Sequence, residues 1–138
     1  MSCEHVVQRA AANLPQSTTE TLFTISGGRV LLLGMFGAVA TAIQAQSNTA
    51  AVYLGSDENI IPFDGDINGA TVGALLGIAE SGSSSLVNHN AVRPFPISPV
   101  VMQSGAEIQL QCSASSTGQV AWTLWYRQLD PGAVVAAV

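Results

Sequence analysis

The clearest candidate for chemistry is an acidic stretch in the middle of the chain, Asp64-Gly65-Asp66-Ile67-Asn68-Gly69. Oxygen-bearing side chains alternate along it and a glycine follows, as at the start of a calcium-binding loop. The twelfth position of such a loop supplies a bidentate glutamate, but here it is Leu75. The pattern therefore favours an ordinary acidic turn. A calcium site stays open as the alternative, with ligands from Asp64, Asp66 and Asn68, completed by Asp57, Glu58 or another subunit.

The other reactive side chains form no recognisable catalytic motif. The two histidines, His5 and His89, are far apart in the sequence, and so are the two cysteines, Cys3 and Cys112. The chain has no GxSxG, HExxH or CxxC motif and no phosphate-binding loop, and without lysine it cannot form a Schiff base. We therefore expect no enzymatic activity and no cofactor. Both cysteines are expected to be free thiols, with Cys112 buried as a small apolar side chain.

Charge is scarce in this sequence. Only 9% of the residues are charged, against about 25% in ordinary domains, while 48% are hydrophobic. The net charge of −5 argues against nucleic acid and against anionic membranes as partners, because both attract basic surfaces. A surface with few charges also associates readily, because charge repulsion is what keeps soluble proteins apart. The composition therefore predicts a structural role, with much of the surface buried against copies of the chain or against a larger partner.

No segment has the features of a membrane anchor or a secretory signal. The longest apolar run covers residues 30–43 and is interrupted by Gly34 and Gly37. A membrane-spanning helix needs about 20 apolar residues, so the run is better interpreted as a buried strand. The N-terminus lacks the apolar core of a signal peptide. We therefore expect the protein to be made and assembled in a cytoplasm.

The first eighteen residues differ in pattern from the rest of the chain. Apolar residues recur there at helical spacing, and Pro15 ends the pattern. We interpret residues 1–18 as an N-terminal arm with helical periodicity that docks on a neighbouring subunit. Residues 19–138 form a single β-domain in this interpretation.

The β-domain is predicted from alternating patterns and turn signals. Residues 21–26 and the apolar run after Arg29 are predicted to form a hairpin through Gly27-Gly28. Residues 107–113 and 119–128 alternate in the same way, with Trp122 on the predicted core face. Eight or so short strands indicate an all-β fold, a single-domain sandwich or barrel of jelly-roll type.

Several exposed apolar or aromatic positions are candidates for an interface. Trp125 lies on the strand face opposite Trp122, beside Arg127, and tryptophan and arginine are enriched at interface hot spots. The wholly apolar tail at 133–138 must pack or pair somewhere. The candidates are Val6, Val7, Leu14, Trp125, Arg127, Val134, Val135 and Val138.

Three stretches together resemble a known group of proteins: LPQSTTETLFTISGGRVLLLGMFGAVATAIQAQ, DINGATVGALLGI and GQVAWTLWYRQLDPGAVVAAV. They are similar to structural proteins of tailed-bacteriophage virions, and most of all to capsid decoration (cement) proteins. The resemblance implies a compact β-domain that forms homodimers or homotrimers on the capsid surface, after synthesis in the host cytoplasm. It also implies binding to the major capsid protein, bridging neighbouring subunits of the shell. No catalytic residues carry over.

Two other interpretations remain open. Another virion component, such as a tail or baseplate protein, would have the same composition but a different location in the particle. A carbohydrate-binding β-sandwich would use Trp125 as an aromatic platform and the acidic loop as a calcium site. A hydrolase is the least favoured, because the sequence lacks a catalytic motif.

Overall fold

The computed structural model describes residues 4–55, 63–78, 86–89 and 100–138. Within these ranges the protein is all-β, with eleven strands and no helix. The strands are β1 (Glu4–Asn13), β2 (Thr19–Ser26), β3 (Val30–Thr41), β4 (Thr49–Leu54), β5 (Phe63–Asp66), β6 (Leu75–Ile78), β7 (Leu86–His89), β8 (Val100–Met102), β9 (Glu107–Cys112), β10 (Gln119–Gln128) and β11 (Val134–Ala137). The predicted all-β class is confirmed.

The strands form two antiparallel sheets that pack as a β-sandwich. Sheet A has the order β1-β10-β3-β6-β7, with β8 also pairing with β3. Sheet B has the order β11-β2-β9-β4-β5. Because β1, β2, β3 and β4 alternate between the sheets, most pairings join strands distant in sequence. Within the described residues no helix is long and apolar enough to cross a membrane.

The core lies between the inner faces of the two sheets. In β10 the predicted core face is buried, with Trp122 and Leu124 exposed by 1% or less. Ile108 and Leu110 of β9 face them from sheet B, together with Phe23 of β2. Burial of each such side chain stabilises the fold by about 1.5–3 kcal/mol. The alternating pattern of β9 and β10 thus predicted both strands and their inner faces.

The predicted hairpin at Gly27-Gly28 is wrong. Both glycines have positive φ, 77° and 143°, as a tight turn requires. However, β2 pairs with β9 and β11, whereas β3 pairs with β10, β6 and β8. The two glycines therefore lie in the connection that crosses from sheet B to sheet A. A β-carbon on Gly27 would collide with the backbone carbonyl of Gly132, so this link lies directly against the one between β10 and β11.

An ion pair joins these two neighbouring links. Arg29 Nε and the Arg29 backbone N–H both donate to Asp130 Oδ2, at 2.9 and 2.7 Å, and Arg29 Nη2 donates to Oδ1 at 2.9 Å. These hydrogen bonds, from the Arg29 side chain and then from its backbone, lower the pKa of Asp130 to about 2. The bidentate geometry fixes the β2–β3 connection relative to the β10–β11 connection.

The predicted N-terminal helix is also wrong, because Glu4–Asn13 forms strand β1. It pairs antiparallel with β10 along its length, with a bulge between Arg9 and Ala12. Valine at positions 6 and 7 suits a strand better than a helix, and an available sheet edge outweighs a weak helical pattern. The segment is therefore an edge strand of sheet A.

Candidate interaction surface

The two tryptophans of β10 lie on opposite faces of sheet A, and each meets a glycine of β3. Trp122 points into the core, where a β-carbon on Gly37 would lie 2.9 Å from its ring. Trp125 lies on the outer face, over Gly34, where an added β-carbon would collide with the ring, 2.6 Å from Cη2. The two glycines thus explain the interruptions in the apolar run: each makes room for an aromatic ring on a neighbouring strand.

An apolar strip crosses four strands on the outer face of sheet A. The register places Val6 of β1 opposite Trp125, and Trp125 opposite Gly34 of β3. Phe36 lies beside the Trp125 ring, with centroids 6.2 Å apart. On the same face of β3, Leu31 is paired with Val101 of β8. We call this surface the A-face; its apolar members are Val6, Leu31, Phe36, Val101 and Trp125.

Much of the A-face is open to solvent. Val6 is 65% exposed and Val101 is 55% exposed, at opposite flanks of the strip. Leu31, Phe36 and Trp125 between them are half-buried. An apolar surface that extends over neighbouring strands is typical of a site of protein contact.

The A-face is also close to neutral. On β1, β10, β3 and β8 its charged side chains are Glu4 and Arg127, which form an ion pair at 3.3 Å. The other charged side chain of these strands, Arg9, lies on the opposite face of β1, where its Nε donates to the main-chain oxygen of Val138 at 3.1 Å. The net charge of −5 therefore resides elsewhere on the protein.

The outer face of sheet B has a different character. Its residues on β9 are Glu107, Gln109 and Gln111, which alternate with buried side chains. Thr21 Oγ1 donates to Glu107 at 3.3 Å, and Gln109 Nε2 donates to the same carboxylate at 3.2 Å. Such a polar, hydrogen-bonded face is stable in water. Along β9 and the adjoining part of β2, the outer face of sheet B is thus polar, in contrast to the apolar A-face.

Six of the eight predicted interface residues separate into three groups. Trp125 and Val6 lie on the A-face, with Arg127 at its rim. Leu14 and Val135 are only 3% and 4% exposed, so they belong to the core and not to a contact surface. Val7 is half-buried and packs against the core.

The C-terminal tail pairs with β2, and its remaining candidates lie away from the A-face. Val134 is 44% exposed and lies opposite Ser26 at the edge of sheet B. Val138 is 62% exposed, and its backbone N–H donates to the carbonyl of Leu22. Most of the tail's backbone is therefore paired with β2 within the monomer, as strand β11.

The acidic stretch forms the end of a strand and a turn. Residues Phe63–Asp66 pair with β4. Asp66 Oδ1 then accepts a hydrogen bond from the Asn68 backbone N–H at 2.9 Å, which is the local bond of an acidic turn. Among the residues that the structure describes, no three histidine, cysteine, aspartate or glutamate side chains lie close enough to hold a metal. The Asp64 side chain, Asp57 and Glu58 lie outside the described residues.

The described cysteine and histidine side chains, Cys112 and His5, make contacts within the fold. Cys112 is a free thiol that is 1% exposed, and burial, followed by the charge of Glu20, raises its pKa to about 11. His5 stacks on Tyr126 with ring centroids 5.2 Å apart. Cys3 lies outside the described residues. A buried thiol with a raised pKa is a poor nucleophile, so Cys112 acts as a core side chain.

Comparisons with known proteins identify no family for this chain. No family model matches it, and no curated protein matches it. A solved structure titled "Structure of infectious bursal disease virus Gx strain" aligns with 98% of this chain at 17% identity and a TM-score of 0.18. The alignment spans about a third of that chain's length, 35%. A similarity of this size supports no conclusion about fold or function.

Proposed function

We propose that this protein is a structural component of a tailed-phage virion, a decoration protein that binds the outside of the capsid and bridges neighbouring capsid subunits. The observation that carries the proposal is the A-face, an apolar, nearly neutral strip on the outer face of sheet A. A protein with this surface and few charges is suited to work while packed against other protein chains.

The strand order supports a jelly-roll sandwich, an architecture that viral capsid domains use. Eight of the strands fall into two sets of four, β1-β10-β3-β6 in sheet A and β2-β9-β4-β5 in sheet B. Numbered in chain order, these sets are 1-8-3-6 and 2-7-4-5, which is the pairing of two interleaved Greek keys. The short strands β7, β8 and β11 extend this arrangement at its margins.

The physical basis of capsid stabilisation would be area buried across the joints between subunits. A standard interface of about 1,600 Å² has a large gross hydrophobic free energy at about 25 cal/mol per Å². Only part of that free energy remains as affinity, because association costs translational and rotational freedom. Repetition over every joint of a shell, however, multiplies a modest gain at each site.

The direct test is binding to expanded, empty shells of the phage that encodes the chain, purified without this protein. Purified protein would be mixed with the shells and sedimented, and the bound copies counted against the major capsid protein. We expect saturable binding at a fixed ratio, together with a higher temperature of shell disruption. Binding to isolated tails instead would assign the protein to the tail, and failure to bind either particle would refute the proposal.

A further inference from the structure

We infer that the partner on the A-face is a second copy of this chain, which packs face to face to form a two-fold dimer. This inference rests on the proposed function in one respect, because both assign the A-face to contact between protein chains. It adds the identity of the partner and the symmetry of the contact. In a dimer closed on the A-face, contact with capsid subunits would fall to the outer faces of sheet B, one on each side of the dimer, where β9 is polar.

The size of the A-face fits such a dimer. It spans four strands at a spacing of about 4.8 Å, or about 19 Å in width. Strand β10 has ten residues at about 3.3 Å each, or about 33 Å in length. Strand β8 has only three residues and adds about 10 Å of length at the flank, so the plan area is roughly 500 Å² on each partner. Two such faces bury roughly 1,000 Å² in total, which is the lower limit for a specific interface.

The charge of the A-face fits a self-association better than contact with a charged partner. A two-fold axis brings identical surfaces together, so any net charge on the face would repel its own copy. The face carries one negative and one positive side chain, Glu4 and Arg127, which neutralise each other at its rim. A chain of net charge −5 can therefore meet itself here without like-charge repulsion.

The recess at Gly34 gives the A-face a shape that can pack against itself. Because residue 34 has no side chain, the Trp125 ring lies down over β3 beside Phe36. A ring in this position offers its face to a partner at little entropic cost, since it is already held in place. The central aromatic pair would form the hot spot of the interface, with Val6 and Val101 at its flanks.

The test compares oligomeric mass in variants that place a charge on the A-face or elsewhere. Wild-type protein, the double variant Val6→Glu with Val101→Glu, and the control Val72→Glu would be measured by light scattering coupled to size exclusion. Val72 is a matched control, because it is 64% exposed but lies in the turn before β6. All three side chains are largely exposed, so the substitutions leave the core of the monomer intact; near-ultraviolet circular dichroism checks this.

We expect wild type and the control to have about twice the chain mass of 14.2 kDa, and the double variant to have the mass of one chain. An unpaired carboxylate in a buried interface should raise the dissociation constant of the dimer by about 100-fold or more. A monomeric or trimeric wild type, or a double variant that remains dimeric, would overturn the inference. The experiment contains no capsids, so its result is independent of the shell-binding assay. A monomeric protein could still bind shells, and a dimeric protein could fail to bind them.

Discussion

Alanine at position 34 should displace the Trp125 ring from the A-face. A β-carbon there would collide with the ring, lying 2.6 Å from Cη2 and closer still to two other ring carbons. The backbone of residue 34 is not in the left-handed region, so alanine adds no backbone strain. The ring is the movable partner, because it is the end of a side chain on the outer face. Gly34→Ala therefore isolates one steric contact.

The magnitude follows from the area that the ring would return to water. A tryptophan buries about 150–250 Å² in a folded protein, and we take about 100 Å² as lost when the ring swings outward. At about 25 cal/mol per Å² this costs about 2.5 kcal/mol. Alanine recovers about 0.5–1 kcal/mol by restricting the unfolded chain. We therefore expect the free energy of unfolding to fall by about 1.5–2 kcal/mol.

The assay is urea unfolding at one fixed protein concentration, arranged as a double-mutant cycle. Gly34→Ala in the wild-type background should lower the midpoint by roughly 1 M, for a urea m-value between about 1 and 3 kcal/mol per M. In a Trp125→Ala background the same substitution should be neutral or slightly stabilising, because there is no ring to displace. An equal loss of stability in both backgrounds would refute the steric explanation and the ring position that it assumes.

Three further outcomes follow from the fold. The pKa of Asp130 is lowered to about 2 beside Arg29, so the stability that this carboxylate contributes is complete above its ordinary pKa of 3.8 and is lost as the pH falls towards 2. Asp130→Asn should therefore flatten the acid side of a plot of melting temperature against pH, and an unchanged slope would contradict the role of the pair. In a Cys3→Ser background, the Cys112 thiol should react with a disulfide reagent at pH 8 only on unfolding, because it is buried with a pKa of about 11; rapid labelling of the folded protein would exclude this. Asn48→Ala should lower the free energy of unfolding by about 3 kcal/mol, since the buried amide bonds both the carbonyl and the N–H of Ala114; a loss below about 1 kcal/mol would show that water replaces these bonds.

The features that sequence could predict are those set by local alternation. In β9 and β10 every second side chain is apolar, and the structure buries those positions. Period-two alternation of this kind is the direct consequence of one face packing on a core. The same reasoning correctly placed Trp125 on the face opposite Trp122. It also gave Cys112 as a buried thiol.

The features that sequence could not predict depend on which distant strands pair. Gly27-Gly28 permits a tight turn whether the next strand pairs back or crosses to the other sheet, so the residues alone did not distinguish the two. The apolar spacing of residues 6–14 fits one face of a helix. In the structure the segment pairs instead with the open edge of β10. The role of Gly34, which makes room for the Trp125 ring, can be recognised only once the register of β3 and β10 is known. The A-face therefore emerges from the structure.

The most direct test of the central claim, that the A-face is buried between protein chains, is hydroxyl-radical footprinting read by mass spectrometry at low and high protein concentration. Val72, at 64% exposure, serves as the internal reference away from the face. We predict that oxidation of Trp125 and Val6 falls several-fold as concentration rises, while oxidation of Val72 stays constant. Equal oxidation of Trp125 and Val6 at both concentrations, in protein shown by light scattering to associate, would place the contact elsewhere and contradict the account.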